Sequence, residues 1–179
     1  MVYNGDRGGT RLRGTSDIWI AAVGGSAPAH PWFETSNREI APVVSPDGRF
    51  VAYVSDESGQ NEVYVRRYPD SGGKIQISNS GGGEPAWSRE GREILYREGD
   101  RFMSVDFPAA PQAVGSPPRA LFAAPFVRLS SVDTPRQYDV SRDGTVLIAL
   151  RTLPNEAVTR QLVVVTAWAG TLSQSAERK

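Results

Sequence analysis

The sequence predicts an all-β fold: a β-propeller of four-stranded antiparallel blades, present as an incomplete arc of about three to four blades. Three observations predict it. One pattern of apolar run, turn and apolar run occurs three times in strict register. Its spacing, 43 and 53 residues between Ser45, Ser88 and Ser141, is that of a propeller blade. The 179 residues include 18 glycines and 13 prolines, a composition suited to many short elements joined by turns.

The copies run from Ile40 to Tyr53, from Glu84 to Tyr96 and from Gln137 to Ala149. After the aligned serines come Asp47, Glu90 and Asp143, then Gly48, Gly91 and Gly144, and three residues later Val51, Ile94 and Leu147. These acid–glycine pairs are read as structural turn residues. Asp bonds its own backbone and Gly accepts a positive φ, so each copy is a hairpin of a blade's first two strands.

The blades are filled in order. Residues 1–39 form a partial blade. Asp17-Ile18-Trp19-Ile20 lies 45 residues ahead of Glu62-Val63-Tyr64-Val65 and reads as the same third strand. Gly24-Gly25 matches Gly72-Gly73, Pro31 to Glu34 is the fourth strand, and Val2-Tyr3 is the tail of a second. Residues 40–79 form a full blade whose last strand, around Ile75 and Ile77, alternates apolar and polar as a half-buried edge does. Residues 80–125 form another, with Asp100 to Val105 and Ala120 to Phe122 as its later strands. Residues 126–169 supply three strands ending in Leu162 to Trp168, and 170–179 are a polar tail. The tally is about 13 strands, against about 24 for six blades. The chain is therefore expected to be an open arc with uncovered end strands that self-associate; a closed four-bladed ring is the alternative.

Composition narrows the chemistry. With no Cys, disulfides, thiolate nucleophiles and Cys-based zinc sites are excluded. The single histidine, His30, excludes multi-His metal centres, and its place between Ala29 and Pro31 reads as an exposed connecting segment. No Gly-x-Ser-x-Gly elbow or kinase signature occurs. Gly81-Gly82-Gly83 lacks the Gly-Lys-Ser/Thr of a phosphate loop and reads as a flexible turn between blades. Asp47, Glu90 and Asp143 recur in register, but each sits in a separate turn, so no metal site is assigned. No catalytic residue and no cofactor are assigned, and the chain is read as non-enzymatic. Twenty basic and twenty acidic residues argue against a nucleic-acid surface, and Asp6 to Arg13 is read as a solvated loop. No apolar run approaches the length of a membrane helix, so no membrane contact by this chain is expected. Trp19, Tyr64, Phe102, Trp87, Tyr53 and Tyr96 recur at blade-equivalent positions and are read as packing between blades. Recognition of a protein or peptide is placed on rim loops at Ser55 to Asn61, Glu98 to Arg101 and Leu129 to Arg136.

Pro-x-x-Ser-Pro-Asp-Gly-x-x-x-Ala-Tyr from Pro42, followed by Glu62-Val63-Tyr64-Val65 and the Gly72-Gly73 turn, resembles the TolB-like propeller repeat. Residues 85–122 and 138–168 are looser copies, and the resemblance covers about residues 1 to 169. Such repeats occur in periplasmic TolB, in the propellers of prolyl oligopeptidase-like enzymes and C-terminal to bacterial serine/threonine kinase domains. The stretch Leu162 to Trp168 with its polar tail is most similar to the kinase-linked group. The resemblance implies a non-catalytic binding scaffold, the sensor region of a membrane-anchored kinase, or alternatively the gating propeller of a hydrolase. Location follows the parent: extracytoplasmic or periplasmic with an export or membrane segment, cytoplasmic if the chain is expressed alone.

Overall fold

Short strands that are apolar on both faces need cover on both faces, and stacking sheets face to face provides it. The computed structural model describes residues 2–5, 16–108, 116–123, 136–141, 146–151 and 161–166. Over these residues the chain forms β1 (Val2–Gly5), β2 (Asp17–Ile20), β3 (His30–Pro31), β4 (Glu39–Val44), β5 (Phe50–Ser55), β6 (Glu62–Arg67) and β7 (Ile75–Gln76). There follow β8 (Gly83–Trp87), β9 (Glu93–Glu98), β10 (Arg101–Asp106), β11 (Arg119–Ala123), β12 (Tyr138–Val140), β13 (Val146–Arg151) and β14 (Gln161–Thr166). No helix among them is long and apolar enough to cross a membrane.

The strands form four antiparallel sheets in chain order: β1-β2-β3, β4-β5-β6-β7, β8-β9-β10-β11 and β12-β13-β14, here sheets 1 to 4. The first strand of sheet 3, β8, lies against β4, β5 and β6 of sheet 2, and β4 lies against β1 and β2. β1 therefore stands to β4 as β5 stands to β8. It is the second strand of its blade, the place expected for Val2-Tyr3.

Three apolar seams join the sheets. Ile18, Trp32, Val51, Tyr53 and Tyr64 fill the seam between sheets 1 and 2. Phe50, Ala52, Val54, Val63 and Val65 of sheet 2 meet Ile94, Tyr96, Met103 and Val105 of sheet 3. Ala86, Leu95 and Phe102 meet Tyr138, Leu147 and Ala149. Successive residues of β5 thus feed opposite seams, which is why Phe50 to Val54 is apolar without a break.

Each first-to-second-strand turn is closed by its serine. Ser45 donates its N–H to the Phe50 carbonyl at 2.8 Å, and its Oγ accepts from the Phe50 N–H at 3.0 Å. Ser88 with Glu93 and Ser141 with Val146 repeat both bonds. Gly48 and Gly91 take φ of 71° and 66°, as expected of the glycine in such a turn. The Asp47 carboxylate accepts from the Ser45 hydroxyl and the Arg49 N–H, and the serine bond holds its pKa below the usual value. Glu90, one methylene longer, makes no corresponding bond among the described residues. Asp143 and Gly144 lie outside the described residues.

β4 and β8 break register at the same place, between Ile40 and Val43 and between Gly83 and Ala86. Pro42 and Pro85 have no N–H to continue the ladder, and the residue before each, Ala41 or Glu84, turns to φ 53°.

Two details differ from expectation. The fourth strand of sheet 1 is His30–Pro31, not Pro31 to Glu34. The Trp32 N–H adds one more bond, to the Ile18 carbonyl at 2.8 Å, and the Trp32 and Phe33 rings pack on Tyr68 and Tyr53, with Trp32 Nε1 donating to the Pro69 carbonyl at 2.7 Å. The residue equivalent to Tyr64 in sheet 3 is Met103, not Phe102: Tyr64 pairs with Tyr53 as Met103 pairs with Tyr96. Phe102 faces sheet 4 instead.

Candidate interaction surface

Antiparallel order puts the loops after second strands and the connections between blades on one rim. The β5–β6 loop, the β9–β10 turn and the segment from Ile77 to Gly82 therefore share it. Of the proposed rim loops, Ser58 to Asn61 is exposed, whereas Ser55 is buried and Asp56 and Glu57 are half-buried. The β9–β10 turn is cut to Gly99-Asp100, with Arg101 paired to Glu98 at 3.5 Å. In the third loop, residues 129–135 lie outside the described residues; Arg136 is described and pairs with Asp139 at 2.8 Å.

Beneath this rim, carboxylates tie one blade to the next. Glu62 opens β6 and is buried. It accepts from Gln60 Nε2 at 2.6 Å, from the Gly81 N–H at 2.9 Å and from the Ser78 hydroxyl, whose Oγ also accepts from the Val63 N–H at 2.7 Å. The Gly82 N–H bonds the Asn61 carbonyl at 2.8 Å. Gly81 takes φ 93°, while a Cβ on Gly82 would strike the Ser78 side chain and reach Val63 Cγ2 at 3.1 Å. The glycine run read as a loose turn is thus a joint pinned by Glu62.

Glu84 performs the same task at the next seam. Its Oε2 accepts from the Gln137 N–H at 2.8 Å, its Oε1 from Arg97 Nη1 at 3.2 Å, and its carbonyl from the Tyr138 hydroxyl at 2.7 Å. Complete burial raises the Tyr138 pKa.

At the first seam Glu39 is 1% exposed. Its N–H donates to the Ser16 carbonyl at 2.7 Å, and its Oε1 accepts from Thr35 Oγ1 at 2.6 Å and Ser55 Oγ at 3.4 Å. Oε2 is buried with no donor among the described residues. Burial pushes its pKa up to about 7, opposed by the Thr35 bond and helped by the charges of Asp17 and Asp56. Asp56 itself takes the Arg38 N–H at 2.9 Å.

The aromatic residues sit where packing needs them. Tyr53, Tyr64, Tyr96 and Phe102 are buried. Trp87 spans a seam by donating Nε1 to the Val43 carbonyl at 2.9 Å. Burial pushes Tyr53 up to about 12, although Arg66 bonds its hydroxyl. His30 is exposed, on β3. Among the described residues no group of three or more His, Asp or Glu side chains could hold a metal ion.

The seam carboxylates were missed by sequence reasoning. Glu62 was seen only as the head of a strand, because its partners Ser78 and Gly81 are brought to it by the return of β7.

No protein-family model matches the chain. Over 85 residues it is 34% identical to a Bacillus subtilis (strain 168) protein named "Uncharacterized peptidase YuxL", a match covering 45% of this chain and 12% of that protein. Among solved structures it is similar to TolB from Acinetobacter baumannii, with TM-score 0.60 and 12% identity over 93% of this chain and 37% of that one. The putative TolB from Agrobacterium tumefaciens gives TM-score 0.62 and 13% identity over 89% and 56%. The tricorn protease gives 0.57 and 12% over 89% and 14%. The fold is that of a TolB-like β-propeller, and the chain spans only part of the length of each of these proteins.

Proposed function

We propose that this chain is a non-catalytic propeller scaffold that binds a protein or peptide through the rim carrying the β5–β6 loop. The observation that carries the reading is the pinned joint at Glu62, which holds an exposed loop, Ser58 to Asn61, over a fully packed pair of sheets. Recognition by loops on a rigid frame loses little ordering entropy. In a finer version the chain is the sensor region of a membrane-anchored kinase, supported by the resemblance of Leu162 to Trp168 to that group. Nucleic acid and membrane are not its partners, and its uncovered ends self-associate.

The test is panning of a peptide library on the immobilised chain. Ser58→Arg and Asn79→Arg, both exposed on this rim, are expected to weaken selected peptides at least about tenfold, or about 1.4 kcal/mol. Arg89→Ala and Arg92→Ala, on the opposite rim, are expected to leave binding unchanged. Turnover of a substrate by the chain alone, or equal loss at both rims, refutes the reading.

The match to a peptidase favours a second reading, in which the chain is the gating propeller of a prolyl oligopeptidase-like hydrolase whose catalytic domain lies elsewhere. The adjoining coding sequence separates the two. A downstream domain with Gly-x-Ser-x-Gly supports the hydrolase; an upstream kinase domain with one membrane helix supports the sensor.

A further inference from the structure

The joint between sheets 1 and 2 carries one more buried carboxyl than the joint between sheets 2 and 3. The two joints correspond bond for bond. The Glu39 N–H meets the Ser16 carbonyl at 2.7 Å as the Gly82 N–H meets the Asn61 carbonyl at 2.8 Å. Asp17 heads β2 as Glu62 heads β6, and both are buried. Glu39 therefore puts a carboxyl where the next joint has a glycine. Neighbouring buried carboxyls do not both ionise readily, so this joint retains a proton. The partners of Glu39 suit that state. Thr35 and Ser55 offer hydroxyls, which turn to serve a carboxyl in either form. Glu62 instead takes the Gly81 N–H and Gln60 Nε2, which only donate and hold it as a carboxylate. The titratable groups that act on the Glu39 carboxyl are Asp17 from β2, Asp56 from the β5–β6 loop and Tyr53 from β5.

The neighbouring residue ties this joint to the rim loop. The Arg38 N–H donates to Asp56 Oδ1 at 2.9 Å, and its Nη2 donates to Asn61 Oδ1 at 2.8 Å. Asp56 and Asn61 are the first and last residues of the β5–β6 loop, so Arg38 spans the loop's base. We propose that Glu39 is a proton-operated latch for this loop. With the carboxyl protonated, the segment from Thr35 to Glu39 stays seated on Ser16 and Ser55, and Arg38 clamps the loop. Ionisation sets a further buried charge beside Asp17 and Asp56, and water relieves it only if the segment lifts. Arg38 lifts with it and the loop loses its clamp. Partner binding at this rim is then favoured by acid. That consequence rests on the reading of the rim as the binding surface, whereas the latch itself does not.

Amide hydrogen exchange followed by NMR on the full chain, corrected for the intrinsic rate at each pH, tests the latch. The rise of the Glu39 carboxyl from 4.5 to about 7 sets the expected size. Protection of the Arg38, Glu39 and Gly59 amides falls roughly fortyfold from pH 5 to 7 and less than about twofold from pH 7 to 8. The Val63 amide, bonded to Ser78 Oγ in the next joint, keeps its protection. Glu39→Gln is expected to remove the fall, and Asp17→Asn to reduce it. A carbon-13 titration of the Glu39 carboxyl in the wild type is expected to have its midpoint near 7. If Glu39→Gln fails to fold, that titration and Asp17→Asn carry the test. A midpoint below about 5 overturns the latch, as does an equal fall in Glu39→Gln. A fall confined to the Glu39 amide, with Arg38 and Gly59 unchanged, overturns the coupling to the loop. Library-selected peptides are expected to bind the wild type more weakly at pH 8 than at pH 5, and Glu39→Gln equally at both. Exchange that follows the titration beside peptide affinity that does not keeps the latch and overturns its consequence for binding.

Discussion

Arg66 donates its Nε to the Tyr53 hydroxyl at 3.0 Å, and the next sheet keeps the tyrosine but not the arginine. Val51 pairs with Arg66 as Ile94 pairs with Val105, so Val105 stands where Arg66 would. The Tyr96 hydroxyl, buried at the equivalent position, has no partner among the described residues. Two chemically identical substitutions should therefore diverge. Tyr53→Phe is expected to cost about 1–2 kcal/mol. Tyr96→Phe removes a desolvated orphan hydroxyl and is expected to be neutral or to stabilise by up to about 1 kcal/mol. Urea unfolding midpoints at constant m-value measure both.

Glu39 makes stability depend on pH near neutrality. Its carboxyl is raised from 4.5 to about 7, so the folded chain holds this proton more tightly than the unfolded chain. The contribution is fully present below about pH 4.5 and is lost as pH rises through about 7. The shift corresponds to roughly 3 kcal/mol. Glu39→Gln keeps a polar group in the seam without the titration. Its stability profile is expected to be flat from about pH 5 to 7.5, where the parent falls; a parallel fall in the variant would show that another group is responsible.

The turn serines and acids should separate in a mutant series. Ser45→Ala and Ser88→Ala each strip the acceptor for a backbone N–H five residues on, at an expected cost of about 1 kcal/mol. Asp47→Ala should cost less than Ser45→Ala, about 0.5 kcal/mol, because its bonds lie on an exposed turn. Glu90→Ala should be silent. Thermal melts of the four variants rank them.

Gly82→Ala should be the most damaging small change of the set. The added methyl displaces Ser78, which serves both Glu62 and the Val63 N–H. Loss of these bonds around a buried carboxylate is expected to cost more than about 2 kcal/mol. Gly83→Ala, with open space around its Cβ position, is the control and should fall within about 0.5 kcal/mol of the parent.

The repeat made the blade legible because turn chemistry and strand alternation are local. Asp47-Gly48 and Glu90-Gly91 marked hairpins that the backbone forms. The alignment of Ser45, Ser88 and Ser141 is also visible, yet the turn is ascribed to the acid rather than to the two hydrogen bonds each serine makes with the residue five positions on. Phe102 was placed one residue out of register because an aromatic residue was matched to an aromatic residue, whereas the pairing of Met103 with Tyr96 sets which face each occupies. The seam carboxylates were illegible for a different reason. Glu84 meets Gln137 and Tyr138 more than fifty residues on, and no local pattern encodes a partner at that distance.

Those stitches between neighbouring sheets have a kinetic reading. Among the described residues each core cluster joins only neighbouring sheets, so cooperativity decays along the stack as it does in other linear repeats. Sheets 2 and 3, held on both sides, are the last to exchange their amide protons, and the outer pair opens first, by separate low-energy excursions. The protein should melt from its ends inward, and the amides around Val51, Val63 and Leu95 should mark the final cooperative unit.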